Sequence, residues 1–331
     1  MKISQKIPPF IRNLNVKSAS HLKNHFKGDD IFKLVSALFA SSIFLLLGLM
    51  VYELVKGSWL SIQTFGLNFI AGTKWDAAVS RIFGVLPLIL GTLVTSAIAL
   101  LIGVPISLGV GLALSEYVPK KFGVAVSFLV ELLAAVPSVI YGLWGIFVLI
   151  PFLRDHVYPY LKAVFGFIPV FSGPIYGGGV LTGGIVLAIM IIPTVSAVMR
   201  DLFSAVPNSQ REAMIALGAT KWETAKTMVS YARSGVIGAI ILGLGRAVGE
   251  TMAITMVIGN KFQVWPSSLF DAWYTMAAII ANELLEATYD LYISALINVG
   301  LILLFVTLII NILARLIVWR TLRLTRGIAR E

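Results

Sequence analysis

IFGVLPLILGTLVTSAIALLIGVPISLGVGLALS, residues Ile82 to Ser115, runs for 34 positions without a charged side chain. A bilayer core about 30 Å thick needs roughly 20 mostly apolar residues to cross it as a helix. The stretch is long enough to span, and too long for an ordinary buried strand. In hydrocarbon every backbone amide must find its partner internally, so a span of this kind is a helix. The short alternating segments of a barrel are not seen.

Similar runs lie on either side. One falls between Lys33 and Glu53, and another from Phe122 to Leu153 is interrupted only by Glu131. A longer one, Ala163 to Met199, opens with Pro169, Gly173, Pro174, Gly177, Gly178, Gly179, Gly183 and Gly184. That density reads as a loop at the membrane surface, with the helix proper from about Val180 to Phe203. Ser234 to Asn260 carries two charges inside it, and Leu291 to Ala314 completes the series. The expectation is an all-α, polytopic membrane protein with six transmembrane helices.

Composition agrees. The 331 residues are 58% hydrophobic and 13% charged, against about 25% charged in soluble domains. The mean hydropathy is +0.91. Cysteine is absent, which removes disulfides and thiolate chemistry. His21, His25 and His156 show no metal-ligand spacing, and no metal site is expected. The net charge of +10 is distributed by side: nineteen Lys and Arg fall in four places that share one face of a six-span chain, and six on the other. The positive-inside rule then puts both termini in the cytoplasm and accounts for the charge without nucleic acid. The expected organisation is a cytosolic basic tail (1–30), a first span (31–55), a periplasmic segment (56–84), a core of five further spans (85–319) and a basic C-terminal tail (320–331). No cleaved signal peptide is expected. Trp59, Trp75, Trp144, Trp265, Trp273 and Trp319 fall mostly near span ends, as an aromatic belt would.

Residues 201–230 are the most informative segment. Pro207 closes the preceding helix and Ser209 can cap a new one over Arg211 to Leu217. Gly218 can take the left-handed conformation that ends it. Thr220 followed by Glu223 has capping-box spacing. Helix, glycine turn, helix makes a rigid knob that could dock into another protein. It could equally be an amphipathic connector on the lipid surface. Within the fifth span, Arg246 and Glu250 are four residues apart, on one face of a continuous helix. They either lock helix packing as an ion pair, or Arg246 offers its guanidinium to an oxyanion while Glu250 restrains it. Gly245 and Gly249 would let helices approach closely, and Pro105 and Pro137 would kink the second and third spans. Glu131 is a third charge in apolar sequence, at mid-depth or at the interface.

Glu212-Ala213 with Gly218-Ala219 beyond resembles the loop of ATP-binding-cassette importer permeases, although Met214 stands where Ala is usual and Ser230-Tyr231 where Leu-Pro is usual. Glu131-Leu-Leu-Ala-Ala-Val-Pro137-Ser138 and Gly245-Arg246-Ala-Val-Gly249-Glu250-Thr251 are similar to stretches of the phosphate-specific permeases. The extended basic N-terminus resembles the PstC-type subunit. The resemblance covers roughly 85–315. It implies the type I importer permease fold in the bacterial cytoplasmic (inner) membrane. Arg211, Glu212, Ala213, Gly218, Ala219 and Thr220 would form the ATPase coupling loop, and Arg246 and Glu250 would line the substrate path. The implied partners are a homologous second permease of PstA type, two copies of an ATP-binding subunit and a soluble phosphate-binding protein. No cofactor is expected on this chain, ATP and Mg belonging to the ATPase. No phosphate-binding loop or nucleophile motif occurs, so no catalytic residue is assigned. The rivals are a permease for sulfate or molybdate, a multi-span membrane enzyme, and a passive anion channel.

Overall fold

The computed structural model describes residues 9–328. Residues 1–8 and 329–331, the ends of the two basic tails, lie outside the described residues. The chain divides into two units, residues 1–56 and 57–331.

Helix α1 (Pro9–Phe65) contains the first apolar run. In the first unit its large side chains, including Leu38, Phe44 and Leu47, are exposed. A helix apolar on all sides is what a lipid-facing span requires. The helix continues without a break past residue 56 to Phe65, so the segment read as 56–84 begins helically. The rest of it, beyond a one-turn helix at Asn68–Ala71, is a two-residue hairpin, β1 (Trp75–Asp76) against β2 (Ile82–Phe83). Gly72 and Gly84 let two backbones touch there, since a Cβ on either would overlap the other.

The second unit is built on α2 (Leu86–Tyr117) and α5 (Val180–Ser204). Small residues recur on α2 every four positions: Gly91, Thr95, Ala99, Gly103, Ser107 and Gly111 are all buried. That spacing makes one flat helical face. Larger side chains of α5 fill it, Ile191 over Gly103 and Met199 over Gly111, while Gly184 of α5 receives Ile98. This is small-residue packing of the kind that joins helices in membranes. Pro105 lies inside α2, which continues through it and ends in a π-helical turn, Ala113–Tyr117.

Two expected continuous spans are broken. Glu131 lies on a separate helix, α3 (Lys120–Ala135), and the third span is α4 (Ser138–Phe165). Pro137 does not kink that span; it ends α3. Val136 is extended, at φ −64° and ψ 128°, because the residue before a proline is pushed out of the helical region. Two π-helical segments, Gly145–Leu149 and Leu153–Val157, lie within α4, and the helix runs on past Arg154 and Lys162 to Phe165. The fourth span begins at Val180 as expected and ends at Ser204. The fifth span is interrupted at Glu250, which is extended at φ −68° and ψ 128°. Before it runs α8 (Arg233–Gly249) and after it α9 (Met252–Val257). Between α5 and α8 lie α6 (Asn208–Ala216) and α7 (Lys221–Tyr231). A short α10 (Met276–Glu283) precedes α11 (Asp290–Ile328).

Among the described residues five helices are long and apolar enough to cross a membrane, and a sixth crossing is made by α7 and α8 if that pair, bent by 72°, counts as one. Trp273 departs from the aromatic belt. It is fully buried and its indole donates to the Gln263 carbonyl at 3.0 Å. The Trp75 indole and the Tyr292 hydroxyl both donate to Glu283 Oε2, at 2.8 and 2.6 Å, which pins the hairpin to the ends of α10 and α11.

Candidate functional site

Two places carry the residues singled out in the sequence. The first is the α6–α7 elbow. Gly218 has φ +77°, a conformation open to glycine at little cost. Backbone bonds close the turn around it, Gly218 N donating to Ile215 O and Ala219 N to Met214 O. Thr220 then caps α7 reciprocally. Its backbone N–H donates to Glu223 Oε2 at 2.7 Å, and Glu223 N–H donates to Thr220 Oγ1 at 3.3 Å. The bond from the Thr220 backbone, then that from its hydroxyl, holds the Glu223 carboxyl below its usual range. On this frame Ile215, Leu217 and Trp222 are 65%, 83% and 68% exposed. Glu212, Ala213 and Thr220 are exposed beside them. The elbow thus combines fixed backbone geometry with exposed apolar side chains, the combination that an anchor for a partner's pocket requires.

Arg211 has a different role from its neighbours. It is not on the exposed face. Its guanidinium grips Glu116, Nη2 to Oε1 at 2.7 Å and Nε to both carboxylate oxygens at 3.1 Å. It also donates to the carbonyls of Phe203 and Val206, each at 2.7 Å. The Phe203 carbonyl at the end of α5 and the Val206 carbonyl just beyond it thus gain a donor where the helix ladder stops, and the π-helical end of α2 is tied to the elbow. Ser209 makes no cap; α6 begins at Asn208 after Pro207, and Arg211 supplies the local order instead.

The second place is Arg246. It is not paired with Glu250. The helix ends at Gly249, so the four-residue spacing no longer places the two on one face. Among the described residues, no carboxylate lies within 4.0 Å of Arg246. Its Nη1 donates to Thr194 Oγ1 of α5 at 2.7 Å. Glu250 Oε1 accepts from the Ala253 N–H at 3.3 Å, at the start of α9. Arg246 faces a groove of about 570 Å³ between α8 and α11, walled by Ile241, Leu242 and Ile312 and lined at its polar positions by Asn311 and Arg315. Among the described residues nothing meets a Cβ built at Gly245 or Gly249, so the close approach expected there is not made by them. Gly235 and Gly243 are the ones packed, against Leu202 and Val195.

Glu131 joins neither place. Its side chain is 54% exposed and accepts from Arg200 Nη2 at 3.0 Å; Arg200 also grips Asp201 at 2.7 Å. It therefore ties α3 to the end of α5. Sequence reading missed Thr194, Glu116, Asn311 and Arg315. Only the last carried a signal, a cation at the end of an apolar run, and that was absorbed into the count for orientation.

Residues 103–323 match the family described as binding-protein-dependent transport system inner membrane component. Over 304 residues the chain is 45% identical to the phosphate transport system permease protein PstC of Haemophilus influenzae, covering 90% of this chain and 95% of that one. The chain belongs to the PstC family of transport-system permeases. The PstC of Mesorhizobium japonicum is 42% identical, with 88% and 90% covered. A more distant relative, the probable PstC of Methanocaldococcus jannaschii, is 34% identical, with 88% and 94% covered. The crystal structure of a bacterial ABC transporter involved in import of the acidic polysaccharide alginate superposes with a TM-score of 0.56 at 19% identity, covering 91% of this permease and 99% of that chain. That likeness establishes the ABC importer permease fold.

Proposed function

We propose that this permease carries inorganic phosphate into a bacterial cell, forming the path with a second, PstA-type permease. Two copies of an ATP-binding subunit, holding ATP and Mg, drive it from the cytoplasm, and a soluble phosphate-binding protein delivers the ion. Nineteen basic residues on one face against six on the other support cytoplasmic termini and a cytoplasmic elbow. The observation that carries the docking part is the exposed trio Ile215, Leu217 and Trp222 on a turn fixed by Gly218 and Thr220. Such a knob transmits a partner's closure only because it is stiff.

For the substrate, Arg246 supplies a guanidinium held by a neutral hydroxyl and free of carboxylates among the described residues. In an apolar setting such a group binds an oxyanion through charge-assisted, bidentate hydrogen bonds. Glu250 makes no ion pair with it and accepts from the Ala253 N–H of α9 instead. The chemistry alone accommodates sulfate or molybdate as well, and the likeness to phosphate transport system permeases favours phosphate. The face at Gly245 and Gly249, open in this chain, suits the approach of the second permease.

The test is uptake of labelled phosphate into proteoliposomes holding the complete set of subunits. The parent assembly should import phosphate only with ATP and binding protein present, with sulfate a poor competitor. Arg246→Gln should stop import while the subunits still co-purify. Phosphate flux through this chain alone, without an ATPase, would support the channel rival and overturn the proposal.

A further inference from the structure

The groove beside Arg246 contains more than the path reading uses. Its polar lining is Arg246, Asn311 and Arg315, with apolar walls from Ile241, Leu242 and Ile312. Three donor-bearing side chains line it, and among the described residues no carboxylate does. Among the described residues the ion pairs engage Lys56, Arg154, Arg200 and Arg211, and neither Arg246 nor Arg315. Two unneutralised guanidinium groups sharing a groove repel each other, and an anion between or beside them removes that cost.

The placement is also directional. α8 leads away from the elbow and α11, the next span, returns toward its end of the molecule, so the two run in opposite directions. Asn311 and Arg315 are four residues apart on α11, one turn or about 6 Å. Arg315 is therefore one step closer than Asn311 to the side on which the elbow lies. Arg246 comes thirteen residues after the start of α8 at Arg233, about 20 Å from that end. Along α11 the amide thus precedes the cation on the way toward the elbow side, and Arg246 lines the same groove from α8.

We propose that Asn311 and Arg315 form a second anion station, which takes the tetrahedral oxyanion from Arg246 and passes it toward the elbow side. The proposal rests on the phosphate reading above. One tight site holds an ion well but releases it slowly; successive sites let it leave. The same chemistry would hold a lipid phosphate, and the experiment separates the two sources.

The complete importer is reconstituted in phosphatidylcholine vesicles, and labelled phosphate uptake is measured with increasing inorganic phosphate on the ATPase side. The parent should slow as that phosphate fills the station. A charge-assisted hydrogen bond contributes about 1.5–3 kcal/mol, and 1.4 kcal/mol is tenfold in affinity. Arg315→Gln should therefore need at least about tenfold more phosphate for the same slowing, with Arg315→Lys in between. Asn311→Ala, which keeps every charge, should need about threefold more. It carries the test should the arginine variant not assemble. A merely structural role would slow uptake without moving the phosphate dependence. Parent-like phosphate dependence in both Arg315→Gln and Asn311→Ala overturns the station and leaves the importer reading standing. A parent that imports no phosphate overturns the importer reading itself. A shift seen only when phosphatidylglycerol is added assigns Arg315 to lipid and also overturns the station.

Discussion

Replacing Arg211 by alanine should free the elbow without unfolding the spans. The side chains of Arg211 and Glu116 are 18% and 13% exposed, so both are largely withdrawn from water. Removing one partner of a buried ion pair costs about 3–5 kcal/mol, because the other charge is left behind. Some water reaches this pair, which favours the lower end, about 3 kcal/mol. The carbonyls of Phe203 and Val206 lose their donor as well. None of this touches the contacts of Gly103 and Gly111 with α5, so the loss is local. At 1.36 kcal/mol per tenfold, amide exchange over residues 212–218 should quicken by about 150-fold, read by mass spectrometry in detergent. Exchange in the middle of α5 should not change. Glu116→Gln should produce a smaller rise, since the amide oxygen still accepts. The double variant Glu116→Ala with Arg211→Ala should be less damaged than the two single effects combined, because no orphan carboxylate remains. Parent-like protection of 212–218 in Arg211→Ala would refute the clamp, and the elbow would then owe its order to Gly218 and Thr220 alone.

The other expectations follow from single positions. Gly218 has open space around a Cβ but φ +77°; Asn and Asp both tolerate that region, so they form a matched pair differing in charge. Gly218→Asn should retain partial uptake and Gly218→Asp should abolish it with membrane insertion intact; normal uptake in the Asp variant would count against docking. Glu223 is held below its ordinary pKa by the Thr220 cap. Its contribution to the elbow is therefore complete above the ordinary glutamate value and disappears as pH falls through the depressed one. Exchange at the start of α7 should quicken on that acid limb only, and Glu223→Gln should flatten the dependence. A methyl at Gly91 would overlap the Tyr274 carbonyl, which is backbone and cannot swing aside. Gly91→Ala should lower the yield of monodisperse protein and its melting temperature, and a normal melt would show that the 274 segment can move.

What could be read directly from sequence was short-range. The Gly218 turn and the Thr220–Glu223 box need only three or four residues and local sterics, and both stand as expected. The start of α5 at Val180 follows from the glycine and proline cluster before it. Hydropathy, however, cannot tell a straight helix from a broken one. It ran Phe122 to Leu153 together because Pro137 lies in an apolar context, although proline's effect on Val136 splits the segment. It joined Arg246 to Glu250 by assuming an unbroken helix, and the interruption after Gly249 undid that pair. Glu116 and Arg211 are 95 residues apart, and no local pattern marks them as partners. Arg211 was therefore grouped with the exposed residues beside it. Trp273 was assigned to the membrane interface for the same reason, since burial by distant segments leaves no trace in its neighbours.

The 72° bend between α7 and α8 has a mechanical consequence. A single residue, Ala232, separates the two helices, so there is no slack at the corner. The α7 arm, 11 residues long, measures about 16 Å, and the distance along α8 from Ala232 to Arg246 is about 21 Å. A bell crank with arms of those lengths slightly enlarges whatever stroke it is given. A tug of a few ångströms on the short arm would arrive at the guanidinium undiminished, sideways to its original direction.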